Sequence, residues 1–197
     1  PMEQAKEIIT RSHSLQARVF KQWKVFKERL AQKEIVLLDH LEILPDEALK
    51  NLRQIFLKQI YPVITPVAID PTHPFPFLYS KSLNILFELE DSKGERRHAI
   101  VPVPGILSRF YKIEWDKKTY IVLIEDILKR FRENLFPGYE AKEFYCFRIT
   151  RNADLTVDEE GAEDLLTEIQ DRLKERRHGT AVRIEVEEKG SYPYFKE

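Results

Sequence analysis

The stretch LNILFELEDSKG, residues 83–94, decides the fold class of this chain because it predicts a β-hairpin. Apolar residues recur at every second position from Leu83 to Leu89, which is the side-chain period of a β-strand. The tetrapeptide DSKG, residues 91–94, supplies the residue types of a tight turn, and residues 98–103 return as an apolar partner strand.

Further strands and helices are predicted on both sides of this hairpin. Short runs rich in apolar and β-branched residues predict strands at residues 35–38, 110–114, 118–123, 143–149 and 182–186. Apolar residues at helical spacing predict helices at residues 3–32, 45–61, 125–136 and 159–177. This order predicts an α+β fold, with a mixed sheet and packed helices, preceded by a long N-terminal helix from a truncated helical bundle.

The N-terminal helix has an apolar stripe with no neighbouring helix in the sequence to cover it. Its members follow the three- and four-residue spacing of a helix face: Ile8, Leu15, Val19, Trp23, Phe26 and Leu30. We expect the remaining helices of its bundle to lie upstream of Pro1, and a coiled-coil partner is the alternative. Both chain ends are typical of a piece cut from a longer protein.

Residues 62–78 form a segment rich in proline. Five prolines in seventeen positions forbid a helix and discourage a strand within a sheet. The segment is nevertheless strongly apolar, so we expect it to pack across the face of the domain rather than act as a solvated linker.

Bulk composition excludes several classes of protein. A hydrophobic content of 43% supports a packed core, whereas a net charge of −1 gives no overall attraction to nucleic acid or to a membrane. No apolar run approaches the roughly 18 residues of a membrane span, and the charged N-terminus does not resemble a signal peptide. The single cysteine, Cys146, excludes a disulfide within the chain and fits a reducing compartment, so we predict a cytoplasmic protein.

The motifs of common catalytic and cofactor sites are missing from the sequence. It contains neither a glycine-rich phosphate loop nor a GxSxG serine elbow, and its five histidines lack the spacing of metal ligands. We therefore assign no catalytic, cofactor-binding or metal-binding residue. Any anion-binding role has to come from a local cluster of charge.

Arg148, Arg151 and Asn152 are the candidates for such a cluster, because they end an otherwise apolar strand. Guanidinium groups suit bidentate contacts with phosphate. The structural alternative is that both arginines pair with local acids such as Asp154 and Glu185.

Two other segments are weaker candidates. Residues 70–78 are predicted to form a rigid structural loop. In the alternative interpretation, His73 is a phosphate ligand or an interface residue. The basic residues within 174–179 are expected at a helix C-terminus from the helix dipole alone, and a ligand role is the alternative.

Three longer segments resemble a known family. They read YPVITPVAIDPTHPFPFL at residues 61–78, FRITRNADL at 147–155 and RHGTAVRIEV at 177–186. In sequence, order and spacing they are similar to segments of the bacterial polyphosphate kinases of the larger, histidine-phosphorylating type. The resemblance covers nearly the whole chain.

The resemblance implies a domain layout and an activity. It implies that residues 1–33 are the last helix of an N-terminal helical domain, 34–187 the head domain, and 188–197 the start of a linker into the first catalytic domain. Such enzymes reversibly transfer the terminal phosphoryl group of ATP to inorganic polyphosphate through a phosphohistidine, with magnesium. The histidines and arginines that perform this chemistry belong to C-terminal domains that these residues do not include.

The functional expectation is therefore a non-catalytic head-domain fragment that holds no cofactor itself, while ATP and magnesium are implied for the parent enzyme. Its expected partners are the C-terminal catalytic domains of the same chain, a second copy bound through the head domain, and inorganic polyphosphate, with no nucleic acid and no membrane. Its expected tasks are dimerisation and lining of a polyphosphate channel. The alternative is a stand-alone module that binds polyanions or proteins without catalysis.

Overall fold

The computed structural model describes residues 2–38, 41–69, 75–152 and 179–187. The chain divides into two compact units, Pro1–Arg53 with Arg109–Ile127 and Gln54–Ser108 with Leu128–Glu197. The helices are α1 (Met2–Ala31), α2 (Asp46–Ile55), α3 (Ile124–Arg130) and α4 (Arg132–Leu135). The strands are β1 (Ile35–Leu37), β2 (Val67–Ile69), β3 (Leu83–Asp91), β4 (Arg96–Pro102), β5 (Phe110–Trp115), β6 (Lys118–Leu123), β7 (Tyr139–Arg151) and β8 (Ala181–Val186). The predicted α+β class with a long N-terminal helix is confirmed.

A three-stranded mixed sheet lies in the first unit, in the order β1-β6-β5. β1 runs parallel to β6, and β5 runs antiparallel to it. The two residues between β5 and β6, Asp116 and Lys117, have φ angles of 46° and 62°, as the tightest hairpin turns require. The second predicted hairpin is thus confirmed, but it belongs to a sheet of its own.

α1 leaves its apolar stripe open to solvent. Ile8, Leu15 and Val19 are all more than half exposed, and Trp23 stacks on Phe26 with 5.7 Å between ring centroids. The bundle or coiled-coil partner expected from the sequence stays a prediction.

A five-stranded antiparallel sheet forms the second unit, in the order β2-β4-β3-β7-β8. β3 is its central strand, and residues 84–89 are buried in succession, including Asn84 and Glu88. Because successive side chains point to opposite faces, this continuous burial means that both faces of β3 are covered.

One expectation for the proline-rich segment was wrong. Val67–Ile69 forms the edge strand β2 beside β4, and Tyr61–Val63 forms a single 3₁₀ turn. The nearby proline does not prevent this strand, because Pro66 lies just before β2 and an edge strand needs hydrogen bonds on one side only. Pro62 is tolerated in the turn because the first turn of a helix needs no N–H donor at that position.

The helix predicted over residues 125–136 is present but interrupted. It breaks at Phe131, between α3 and α4. The residues predicted to face inward are all buried: Ile127, Leu128, Phe131 and Leu135.

Several predictions fall outside the described residues. They concern the helix at 159–177 with its capping residues, His73, His178 and Asp154. Among the residues that are described, no helix combines the length and hydropathy needed to cross a bilayer. The domain boundaries at residues 33 and 187 stay predictions.

Candidate functional site

The candidate residues lie at the C-terminal end of β7, a strand of 13 residues that pairs with β3 on one side and β8 on the other. Arg148 lies opposite Leu83 of β3 and Glu185 of β8. The pairing of β7 with β8 is irregular between Thr150 and Arg151, so the strand does not continue its simple alternation to its end.

Arg148 forms an ion pair with a carboxylate on the neighbouring strand. Its Nε donates to Oε2 of Glu185 at 3.0 Å, and Nη2 of Arg183 donates to Oε1 of the same carboxylate at 3.2 Å. The hydrogen bond from Arg148 holds the pKa of Glu185 below its ordinary value, outweighing the opposite effect of burial. The pairing of Arg148 with Glu185, which the sequence offered as the structural alternative, is therefore present.

Arg151 holds three segments of the chain together. Its Nε donates to the carbonyl oxygen of Leu78 at 2.9 Å, and its Nη1 donates to that of Gly179 at 3.0 Å. The guanidinium carbon also lies 4.6 Å from the ring centroid of Phe77. Among the described residues Arg151 thus binds carbonyl oxygens and an aromatic ring, and Asp154, one of the acids expected to pair with it, lies outside them.

Asn152 extends the pairing of the two strands by one further hydrogen bond, from its backbone N–H to the carbonyl oxygen of Thr180 at 2.8 Å. Gly179 lies so close to this segment that a Cβ there would be 2.1 Å from the carbonyl oxygen of Asn152. Only glycine fits at this position, because real Cβ atoms do not approach that closely. This close approach brings the Gly179 carbonyl within reach of Arg151.

The three candidates thus lie close in sequence but do different things. Arg148 binds a carboxylate on β8, whereas Arg151 binds main-chain carbonyls and the Phe77 ring, and Asn152 contributes a backbone bond. Arg183 was missed by the sequence reasoning. Its signal was the alternation within residues 181–186, which places Arg183 and Glu185 on the same side of a strand.

Positive charge is concentrated at this end of the sheet. Lys81 lies beside β7, because its backbone N–H donates to the carbonyl of Ile149 at 2.7 Å. Of the basic residues here, Arg148 and Arg183 bind Glu185, whereas Arg151 binds main-chain carbonyls, in a chain whose net charge is −1. The next acid along, Glu187, is held by Lys129 at 2.7 Å.

The described residues offer few other groups for chemistry. Nowhere among them do three His, Cys, Asp or Glu side chains come close enough to hold a metal ion. His98 lies in β4, opposite Ile69 of β2 and Glu88 of β3, and Cys146 is a buried residue of β7. The described arrangement offers guanidinium N–H donors, which suit contacts with anions.

The contacts of Arg151 predict a structural effect of its removal. Arg151→Met keeps the length of the side chain but leaves the carbonyls of Leu78 and Gly179 without their donors. We expect the free energy of unfolding to fall by about 1.5 kcal/mol, measured by urea denaturation. Arg97→Met is the matched control, because Arg97 is exposed and pairs with nearby Glu95, and it should leave the midpoint unchanged. Equal midpoints for both variants would show that Arg151 holds nothing together.

Comparison with known proteins gives one consistent result. The profile of the polyphosphate kinase middle domain matches residues 47–193. The chain is 43% identical over 187 residues to the polyphosphate kinase of Staphylococcus saprophyticus, covering 95% of this chain and 26% of that protein. It is 40% identical over 193 residues to the polyphosphate kinase of Staphylococcus haemolyticus, covering 98% of this chain and 26% of that protein.

A solved structure agrees with these sequence matches. The crystal structure of the polyphosphate kinase from Porphyromonas gingivalis is similar with a TM-score of 0.61 and 27% identity, over 77% of this chain and 26% of that chain. The chain therefore spans about a quarter of the length of the relatives that it matches.

Proposed function

Because the chain belongs to the polyphosphate kinase family through its middle domain, we propose that it is the non-catalytic head domain of an ATP–polyphosphate phosphotransferase. The parent enzyme reversibly transfers the terminal phosphoryl group of ATP to inorganic polyphosphate through a phosphohistidine. ATP and magnesium bind to the parent's catalytic domains, which are the partners of this domain in the same chain. The head domain contributes a dimer contact and one wall of the polyphosphate channel.

The observation that carries this proposal is the match of the middle-domain profile to residues 47–193. This range includes both strands, β3 and β4, of the hairpin in the five-stranded sheet. Phosphoryl transfer is catalysed mostly by positioning and by neutralising charge, so a domain can contribute to it without supplying a reactive group. A linear polyphosphate carries one negative charge per phosphate, and the basic end of β7 and β8 supports a role as a wall for such a chain.

The proposal is tested first by activity. The 197-residue chain incubated with ATP and magnesium should form no polyphosphate, while a full-length kinase that carries this domain should form it under the same conditions. The measurement is transfer of the labelled terminal phosphate of ATP into acid-insoluble polymer. Synthesis by the purified chain alone would overturn the assignment of a non-catalytic role.

The channel contact is tested in the full-length kinase. Arg148→Ala should weaken the use of long polyphosphate chains while leaving short acceptors nearly unaffected, because only a long chain reaches the head domain. Arg97→Ala is the control, since Arg97 is an exposed arginine of the same sheet that pairs with Glu95. An unchanged dependence on chain length for Arg148→Ala would refute the channel contact. Arg151 is excluded from this test because its removal disturbs the fold itself.

A further inference from the structure

Two arginine side chains of the second unit share one carboxylate. Arg148 binds Oε2 of Glu185 and Arg183 binds Oε1, at 3.0 and 3.2 Å. Both arginine side chains remain accessible, at 45% and 47% exposure, whereas the carboxylate between them is 29% exposed. The guanidinium groups are thus the more accessible part of the cluster.

The positions of these residues follow from the pairing of the strands. Arg148 and Glu185 lie directly opposite each other in β7 and β8, and Arg183 lies opposite Thr150, two residues along on the same face. The two guanidinium groups are therefore held side by side by backbone register and by a common acceptor. Long side chains that are already ordered lose less conformational entropy when a ligand binds.

Glu185 leaves most of the donor groups of both arginines available. Arg148 uses Nε and Arg183 uses Nη2, and within the described part of the chain neither guanidinium has another ion-pair or hydrogen-bond partner. An arginine carries five N–H donors in a planar fork that matches two phosphate oxygens. Two positive charges and one negative charge leave the cluster with an excess of one positive charge.

We propose that Arg148 and Arg183, oriented by Glu185, form a two-arginine site that binds adjacent phosphate groups of a linear polyphosphate chain. This inference rests on the proposed function and adds Arg183 as a ligand and Glu185 as a positioning residue. A single phosphate meets an excess of only one positive charge here. A polymer engages both guanidinium groups at once.

The experiment measures binding of long-chain polyphosphate to the 197-residue chain by calorimetry, at about 50 and about 200 mM salt. Arg183→Ala should weaken binding by about tenfold at low salt, because it removes a charge-assisted fork to phosphate. It should also reduce the slope of log affinity against log salt by about one, because one fewer counterion is released. Arg183→Lys, which keeps the charge but loses the fork, should give an intermediate affinity.

Arg97→Ala is the matched control for Arg183→Ala. Each arginine is exposed, lies on a strand and pairs with a glutamate two residues away. The control should retain the affinity and salt slope of the parent chain. Circular dichroism and the thermal midpoint confirm that each variant is folded, and inorganic phosphate serves as the single-phosphate probe, which should bind weakly to all of them.

The outcomes separate this inference from the proposed function. If the chain binds polyphosphate and Arg183→Ala behaves as Arg97→Ala does, the two-arginine site is wrong while the channel role of the domain stands. If the chain shows no saturable binding of polyphosphate, the site is also wrong, and the activity and Arg148→Ala assays in the full-length kinase decide the proposed function independently. Equal weakening by Arg183→Lys and Arg183→Ala would contradict the bidentate geometry.

Discussion

Replacing Phe87 with alanine lowers the free energy of unfolding by about 4 kcal/mol, because a fully buried ring is removed from the centre of the sheet. Phe87 lies in β3, and its ring centroid is 5.0 Å from that of Phe136 and 6.2 Å from that of Phe144. The alanine leaves a cavity between Phe136 and Phe144, and the pairing of β7 with β3 keeps the Phe144 backbone from moving to fill it. A typical domain has a free energy of unfolding of about 5–15 kcal/mol. The expected loss is a large part of that value, so the variant should be only marginally folded.

Urea denaturation followed by circular dichroism measures this effect, with an unchanged slope against urea showing that the denatured state is the same. Phe110→Ala is the matched control, because Phe110 is also a strand phenylalanine but is 55% exposed. Its midpoint should move far less. If both variants lost the same stability, the centre of the second unit would not be the sheet face that contains Phe87.

Elements of the fold that are encoded by residues close together in the sequence were predictable. The hairpin of β3 and β4 was predictable because alternation, turn residues and return strand all lie within 20 residues, and the structure closes it with Gly94 at a φ of 81°. Asp91 supports the same turn by accepting hydrogen bonds from the N–H groups of Lys93 and Glu95. Local consistency of this kind leaves little room for another fold.

Features that depend on distant partners were not predictable. β2 was missed because its only evidence is its pairing with β4, about 30 residues further along, while its own sequence is bordered by proline. Arg183 was overlooked for a related reason. Its importance comes from Glu185, which is drawn toward Arg148 by a strand pairing that joins residues 37 positions apart.

For the candidate residues, too, the local feature was predictable and the contacts with distant residues were not. The sequence showed that arginines end β7, but not that Arg151 would point to the carbonyls of Leu78 and Gly179 while Arg148 points to β8. The difference arises at the irregularity between Thr150 and Arg151, which changes the direction of the strand where the two arginines separate. Two arginines three residues apart therefore make different contacts: Arg151 binds main-chain carbonyls, and Arg148 binds a carboxylate on β8.

Removing the carboxylate of Glu187 should destabilise the protein by about 3 kcal/mol at neutral pH, because it leaves a buried ammonium group without its counter-ion. Lys129 is almost fully buried, and its Nζ lies 2.7 Å from Oε2 of Glu187 and 5.4 Å from the ring centroid of Phe144. Glu187→Gln keeps the shape of the side chain while removing its charge. The measurement is the urea midpoint, and Glu95→Gln, at the exposed pair with Arg97, is the control that should show no change.

The stability that the Lys129–Glu187 pair contributes depends on pH. Burial acts to lower the pKa of Lys129, but the Cys146 side chain and the Glu187 carboxylate outweigh it and raise the pKa above 10.5. In the parent protein the pair therefore contributes its full stability below pH 10.5 and loses it as the pH rises through the pKa of the folded state. Glu187→Gln removes the contribution of the Glu187 carboxylate, so the pKa of Lys129 is lower in the folded variant than in the folded parent protein. The difference in stability between the two proteins should shrink as the pH rises through the folded-state pKa of Lys129 in the variant towards that in the parent. The double variant Lys129→Met, Glu187→Leu should recover most of the loss because no charge is then buried. A stability difference that stays constant as the pH rises would mean that the charge of Glu187 does not stabilise the charged form of Lys129.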